Sequence, residues 1–403
     1  MLFNLVRPGA GTALVRTAGF GRMLVVLTLL ISQMSLAAWK DPLDTPSAST
    51  SIAHQTLLLD VVQAGERLVA VGSHGHIIYS DDNGSSWQQG KVPVSITLTA
   101  VYFSSPQHGW AVGHDGVILA TTDGGSNWTR QFDGYSANKA IVAAAKNKKQ
   151  RAENALLSAE EAGNDVAVEE AEMALENATY ALEDAEYDVS TGSTKPFLDV
   201  WFYDARRGFA LGAYGMFFAT EDGGASWQDV SARLPNPERL HLNSITLVDN
   251  RSLVVVGEMG LIMRSDDLGA SWRKTPSPYE GSLFGLVNAG EQQLLFGLRG
   301  HVFSSVDGGI SWTEASTGSQ QTLLSGYVGR SNTLLVGNAG SVIVFDKALK
   351  NSRTLIIEGR KAYAAAVQAP DGTFVIVGEV GVQRLNANGE LLDQSITMAA
   401  GDF

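Results

Sequence analysis

The chain has 403 residues, 44% of them hydrophobic, a formal net charge of −13 and no cysteine. The length suits one large domain or two to three ordinary ones, and the acidic balance argues against nucleic acid as the main partner. The lack of cysteine excludes disulfides, thiolate metal ligands, a Cys nucleophile and a lipid-modified N-terminal Cys.

Residues 1–37 read as a secretory signal. Arg7, Arg16 and Arg22 supply a positive region, "MLVVLTLLI" an apolar core, and "SLA" small residues before Ala38. The apolar run is shorter than the ~20 residues of a membrane span. The expectation is cleavage near Ala37 and a periplasmic or secreted mature protein. Residues 38–56 read as a linker, with nothing in "AWKDPLDTPSASTS" to say whether it adds a strand.

From residue 57 the chain repeats. An apolar run leads into G-x-x-G and then alternation, with first glycines Gly72, Gly113, Gly212, Gly257, Gly297, Gly337 and Gly378. Successive spacings are 41, 99, 45, 40, 40 and 41 residues. Five copies are followed by S/T-x-D-x-G-x-x-W: "SDDNGSSW" (Asp82, Trp87), "TTDGGSNW" (Asp123, Trp128), "TEDGGASW" (Asp222, Trp227), "SDDLGASW" (Asp267, Trp272) and "SVDGGISW" (Asp307, Trp312). The last two units have lost the box. Units one and two span residues 57–136, and units three to seven span 191–403.

Each unit parses as four short strands. In unit two these are "LTAVYF", "GWAVG", "GVILAT" and "WTRQF". Four strands per ~40 residues, repeated seven times, predict an all-β chain folded as a seven-bladed β-propeller. Small residues at mid-strand in the first strands (Ala100, Ser244, Gly285, Ser325, Ala365) suit the crowded axis. The box reads as a staple for the turn between strands three and four. Its Asp accepts turn amides, its Ser/Thr hydroxyl joins them, its Gly takes φ > 0, and its Trp buries between blades.

Residues 137–190, between units two and three, are rich in Ala, Glu and Lys with no Pro. They predict an antiparallel helical hairpin inserted as a coiled coil. Asp165 caps the second arm after Gly163-Asn164, and Val168, Ala171, Leu175, Ala178, Leu182, Ala185 and Val189 form its seam. Ile141, Ala145, Ala152, Leu156 and Ala159 face them. Lys146, Lys148, Lys149 and Arg151 stand on the first arm, against nine acids and no base from Asp165 to Asp188.

The box resembles the bacterial neuraminidase repeat. The longer unit, G-x-x-G-x-I…T-x-D-G-G-x-x-W, resembles the photosystem II stability and assembly factor family of seven-bladed propellers, over about residues 50–395 apart from the insertion. The resemblance implies a protein-binding propeller. Members in photosynthetic organisms bind assembly intermediates of photosystem II, and similar propellers of other bacteria imply a secreted binding scaffold. This chain departs in lacking the lipid-anchoring Cys and in carrying the hairpin.

In a propeller the connection from strand four of one unit to strand one of the next lies on the same face as the strand two–three turns, which puts the hairpin on the face of the G-x-x-G turns, with the boxes on the opposite face. His74, Asp115, Tyr214, Glu258, Arg299, Asn338 and Glu379 are the candidate partner-binding ring. Arg206 and Arg207 are added because the resemblance implies basic positions for acidic partner segments. The box Asp and Trp residues are assigned structural roles.

No catalytic residue, metal ligand or cofactor is assigned. The rival class is a sialidase-like glycoside hydrolase, but the F/Y-R-I-P motif is absent and the ring holds one Arg. The seven histidines show no ligand spacing, and no P-loop occurs. The function expected is a non-enzymatic scaffold or assembly factor that binds a protein, a membrane complex among the candidates. Neither nucleic acid nor a small-molecule substrate is expected. The alternatives are a photosystem II assembly factor in a photosynthetic host and the hydrolase.

Overall fold

The computed structural model describes residues 40–392 and 395–399; the expected signal segment and cleavage near Ala37 lie outside them. From Pro42 onward the chain forms one unit. The first sheet contains β1 (Leu58–Ala64), β2 (Arg67–Gly72), β3 (Ile77–Ser80) and β4 (Ser86–Gln89). The second contains β5 (Leu98–Phe103), β6 (Gly109–Gly113), β7 (Ile118–Thr121) and β8 (Thr129–Phe132). The helices α1 (Gly134–Glu161) and α2 (Asp165–Thr191) follow.

The third sheet is β9 (Phe197–Phe202), β10 (Gly208–Gly212), β11 (Phe217–Thr220) and β12 (Gln228–Asp229). The fourth is β13 (Leu242–Leu247), β14 (Leu253–Gly257), β15 (Ile262–Ser265) and β16 (Arg273–Lys274). The fifth is β17 (Leu283–Asn288), β18 (Gln293–Gly297), β19 (Val302–Ser305) and β20 (Thr313–Glu314). The sixth is β21 (Leu323–Val328), β22 (Asn332–Gly337), β23 (Ser341–Asp346) and β24 (Ser352–Ile356). The seventh is β25 (Tyr363–Gln368), β26 (Phe374–Gly378) and β27 (Gly381–Leu385), and β28 (Thr397–Met398) ends the described chain.

The first strand of each sheet packs against the first strand of the next, and β25 packs against β1, so the inner strands form a closed ring. An apolar cluster fills each gap. Val69, Val71 and Ile77 meet Val101, Ala111 and Leu119 between the first two sheets. Leu68, Ala70 and Ile78 meet Ala365, Val375 and Val377 between the first and the last. The second strand of a sheet is covered on both faces, which explains its unbroken apolar run. "LVVVG" and "FVIVG" are buried along their whole length, where a half-exposed strand would alternate.

Ring closure comes from the C-terminal end. Leu391 bridges Leu385 on β27. The chain then crosses to lay β28 parallel to β4. Among its described residues the linker adds no strand: residues 42–56 hold two short turns, Pro42–Asp44 and Ala53–Gln55, the second packed on β27.

The hairpin differs from expectation at both ends. Helix α1 starts at Gly134, before residue 137, because the Asp133 carboxylate caps it by accepting the N–H of Ser136 at 2.9 Å. The cap of α2 is Asn164, which accepts the Ala167 N–H; Asp165 sits inside the first turn, where its charge faces the positive end of the helix dipole.

Ala152 and Ala159 on α1 and Ala171, Ala178 and Ala185 on α2 are the buried positions of the seam. Lys146 reaches Glu186 across it at 3.5 Å, while Lys149 pairs with Glu153 of its own helix. Val189 leaves the seam and is 49% exposed, because at the root α1 turns Ala137, Ala140 and Ile141 into the core between the second and third sheets.

Candidate protein-binding face and central channel

The five boxes share one arrangement of bonds to the Asp carboxylate. In the second, the Asp123 carboxylate accepts the Thr121 hydroxyl at 2.9 Å, the Asn127 N–H at 2.9 Å and the Asn127 side-chain amide at 2.7 Å. The Gly125 N–H donates to the Thr121 hydroxyl, and the Trp128 indole N–H to the Gly125 carbonyl at 2.9 Å. Asp82, Asp222, Asp267 and Asp307 repeat the carboxylate bonds, and Trp87 and Trp272 repeat the indole bond, which Trp227 and Trp312 lack among the described residues. Hydrogen bonds from Ser226 and Ser271 hold Asp222 and Asp267 down to about 2, and Ser311 holds Asp307 well below the usual carboxylate range. These acids are engaged within their own turns.

Trp87, Trp128 and Trp227 are buried, but Trp272 and Trp312 are only half-buried. Each of the latter precedes a fourth strand of two residues, so its outer side has less cover. Trp227 also precedes a short strand, but it shares a cluster with Ala137 of α1.

The opposite end of each sheet carries the G-x-x-G turn. Its first glycine is required by close approach. A Cβ on Gly212 would lie 2.3 Å from the Pro196 carbonyl oxygen, and the other six units place a backbone oxygen as near. That carbonyl accepts the next N–H of the turn, as Ala213 to Pro196 at 3.1 Å. The third position lies at positive φ in His74, Asp115, Tyr214, Met259, Arg299 and Ala339, a conformation that is uncommon outside glycine.

The expected ring therefore divides. His74, Asp115, Tyr214 and Arg299 occupy the turn apex, while Glu258, Asn338 and Glu379 occupy the preceding position. Glu258 folds back to accept the His241 N–H at 3.2 Å. Glu379 accepts the Ala362 N–H at 3.4 Å and pairs with Lys361 at 2.7 Å. His74, Tyr214, Arg299, Asn338 and Glu379 are exposed, and Asp115 and Glu258 half-buried.

The hairpin is rooted on this face. The Ser193 hydroxyl donates to the Asp115 carbonyl at 2.5 Å, and Asn138 donates to the carbonyls of Asp188 and Gly192. Lys195 pairs with Asp188 and stands 5.3 Å over the Tyr214 ring. Arg239 approaches Asp184 at 3.8 Å.

Arg206 and Arg207 are not brought to this face. They lie in the β9–β10 turn, and the Arg206 carbonyl accepts the N–H of Gly223 in the third box, which places them at the box end. Arg207 pairs with Asp204 at 2.8 Å and stacks on Tyr203. Asp204 already accepts the N–H groups of Arg206 and Arg207.

Sequence reasoning missed two channel residues. At the mid-strand position held elsewhere by Ala100, Ser244, Gly285, Ser325 and Ala365 stand Asp60 and Asp199, lining an axial cavity of about 200 Å³. Asp60 accepts the N–H of Val61 on its own strand and of Val101 on β5, both at 2.8 Å. Asp199 accepts Val200 N–H at 2.8 Å and, from β13, Ile245 N–H at 2.9 Å. Burial pushes Asp60 up to about 7 and Asp199 up to about 6, against the pull of those amides. The signal was present in "LLLDVV" and "FLDVWF", a lone acid in each apolar strand.

Ringed antiparallel sheets, five of them pinned by an Asp-box, define a β-propeller of the Asp-box class. A model of the family described as photosynthesis system II assembly factor YCF48 matches residues 83–146 and 181–313. Within that class, the chain is similar to the photosystem II assembly factor propellers.

The photosystem II assembly lipoprotein Ycf48 of Synechococcus sp. (strain CC9902) is 36% identical over 66 residues, 15% of this chain and 20% of that protein. The chloroplastic photosystem II stability/assembly factor HCF136 of Cyanidioschyzon merolae (strain NIES-3377 / 10D) is 43% identical over 47 residues, 11% of each chain. The chain thus aligns with at most a fifth of these two relatives.

Among solved structures, YCF48 bound to D1 peptide superposes with TM-score 0.56 at 13% identity, over 86% of this chain and 97% of that one. YCF48 from Cyanidioschyzon merolae gives 0.56 at 12%, over 85% and 98%. The WD40 propeller domain of Doa1 gives 0.54 at 10%, over 84% and 95%. At these identities the superpositions show the fold.

Proposed function

We propose that the chain is a non-enzymatic scaffold, a seven-bladed propeller with a coiled-coil hairpin, that works in the periplasm or outside the cell. It binds a protein partner belonging to a membrane complex through the face that carries the G-x-x-G turns. The observation that carries this reading is the mounting of the hairpin. Its root is tied to the Asp115 turn through Ser193 and stands beside Tyr214 through Lys195. A 28-residue helix extends about 42 Å at 1.5 Å per residue, so the rod reaches well beyond the sheets while staying fixed to the candidate ring.

The box carboxylates are engaged in their turns, which supports a structural role for them and favours a scaffold over a hydrolase. No cofactor is needed for this role.

A second reading, assembly of photosystem II itself, is favoured by the names of the matched relatives and by the peptide held in one of the superposed structures. It requires a photosynthetic host.

The test compares the intact chain with a variant in which residues 149–183 are replaced by a short Gly/Ser loop. Each is cross-linked in its native host and purified, and the captured proteins are identified by mass spectrometry. A membrane-complex subunit captured by the intact chain supports the scaffold. Its loss from the variant assigns docking to the rod, its retention assigns docking to the ring, and no captured partner from either sinks the reading. In a photosynthetic host, unchanged photosystem II accumulation after gene deletion eliminates the second reading.

A further inference from the structure

Four large apolar side chains recur every seventh residue on the solvent side of α2: Val166, Met173, Tyr180 and Tyr187, exposed by 67%, 53%, 58% and 68%. The buried seam of the same helix, Ala171, Ala178 and Ala185, also repeats every seventh residue, offset by five. Five residues at 3.6 per turn rotate about 140°, so the exposed stripe lies on the far side of α2 from α1. A helix in a two-helix hairpin needs one apolar seam, and α2 has two.

The charge around the second seam is of one sign. Glu169, Glu170, Glu176 and Asp184 fall within about 80° of the stripe on a 3.6-residue helix, and α2 has nine acids and no base from Asp165 to Asp188. Tyr180 donates its hydroxyl to Glu176 at 3.2 Å, which keeps its ring along the helix surface. Asp184 lies 3.8 Å from Arg239, at the end nearest the sheets.

We infer that this stripe is a docking seam for a basic amphipathic helix of a partner protein, laid along α2 to complete a three-helix coil. Apolar residues of the partner at heptad spacing pack on Val166, Met173, Tyr180 and Tyr187, and flanking Lys or Arg meet the glutamates. A second copy of this chain fits poorly, because pairing α2 with α2 sets nine acids against nine. The inference rests on the reading of the hairpin as a docking arm and specifies the chemistry of what docks.

The test uses the full chain and three labelled peptides of four heptads. One has Leu at the seam positions and Lys on the flanks, one has Glu in place of Lys, and one is a scramble of the Lys peptide. Fluorescence anisotropy is read at low and high salt, and sedimentation reports self-association. The expected result is that the Lys peptide binds at least about tenfold tighter than either control, a difference of 1.4 kcal/mol, and weakens with salt. A variant carrying Met173→Ser, Tyr180→Ser and Tyr187→Ser loses that preference with unchanged helicity by circular dichroism, and Tyr180→Phe keeps it.

Equal binding of the Lys peptide and its scramble would reduce the surface to bulk charge and overturn the inference. So would undiminished binding by the triple variant, or a dimer that the triple variant dissolves. If the peptide fails while the loop-replaced chain still loses its cross-linked partner, this seam is wrong and the scaffold stands.

Discussion

Asp199 on β9 accepts the backbone N–H of Ile245 on β13 at 2.9 Å, and so joins two neighbouring sheets across the wall of the central channel. Asp60 does the same from β1 to Val101 on β5. Two of the gaps between inner strands are therefore bridged by a half-buried carboxyl group as well as by apolar packing.

These carboxyls give a pH dependence of unusual sign. Their folded pKa values, about 7 and about 6, are raised above the ordinary carboxylate value. The native state therefore binds these protons more tightly than the unfolded chain. Stability from the two groups is full below the unfolded value of about 4, and falls as pH rises towards 7. Urea midpoints of the native chain at pH 5 and 7.5, compared with the double variant Asp60→Asn, Asp199→Asn, check this. The variant is expected to be less stable at pH 5, having exchanged one acceptor oxygen per site for an amide donor, with a flatter dependence across the window. An unchanged slope would refute the assignment.

The box acids act in the opposite window. Asp222 and Asp267 sit at about 2, below the ordinary value, because Ser226 and Ser271 donate to them. Stability from these groups is present above about pH 4 and is lost as pH falls towards 2. Asp222→Ala should therefore remove part of the acid-side decline while leaving the pH 5–7.5 slope in place, as read by thermal melts from pH 2 to 5.

Trp128→Ala should cost about 3–5 kcal/mol, the range for deleting a buried aromatic. Trp128 is nearly fully buried between the first two sheets, and its indole N–H is bonded to Gly125. Trp312→Ala should cost less, because that ring is half-buried and its N–H finds no acceptor among the described residues. Equal losses in chemical denaturation would count against the staple account.

Gly212→Ala places a methyl 2.3 Å from the Pro196 carbonyl oxygen, where only backbone movement relieves the clash. A destabilisation of about 1–3 kcal/mol or more is expected. Gly192→Ala meets nothing within 4 Å and carries only the strain of φ 91. Denaturant midpoints rank the two, and the reverse order would contradict the close-approach reading.

Replacing residues 149–183 should leave the propeller folded, because the hydrogen bonds and the ion pair described for the removed part stay within the hairpin. Extending the deletion to Gly134 should destabilise it. Ala137 and Ile141 are part of the core between the second and third sheets, and Asn138 bonds the far end of the hairpin. Near-ultraviolet circular dichroism and melting temperature separate the two deletions, and equal stability would show that the root is dispensable.

The repeat, its strand boundaries and the box turns were legible in the chain because they are local. Thr121, Asp123, Gly125 and Trp128 close their hydrogen bonds within eight residues, so type and spacing suffice. The hairpin was legible for the same reason, except at its ends, where the cap at Asp133 depends on the turn that precedes the helix. The division of the ring between apex and shoulder was not legible. It depends on which residue of each G-x-x-G takes positive φ.

Other features belong to the closed ring. Nothing near Thr397 and Met398 in the chain marks them as an added strand; they pair with β4 because closure brings the last sheet beside the first. Arg206 and Arg207 read as a basic spot, but strand order carries them to the box end, where Asp204 meets Arg207. Asp60 and Asp199 lie 139 positions apart and become a pair only through the axis they both face. Local hydrogen bonding and side-chain periodicity determined the units of this protein; contacts between residues far apart in the chain decided how it closes, what fills its channel and which surfaces it presents.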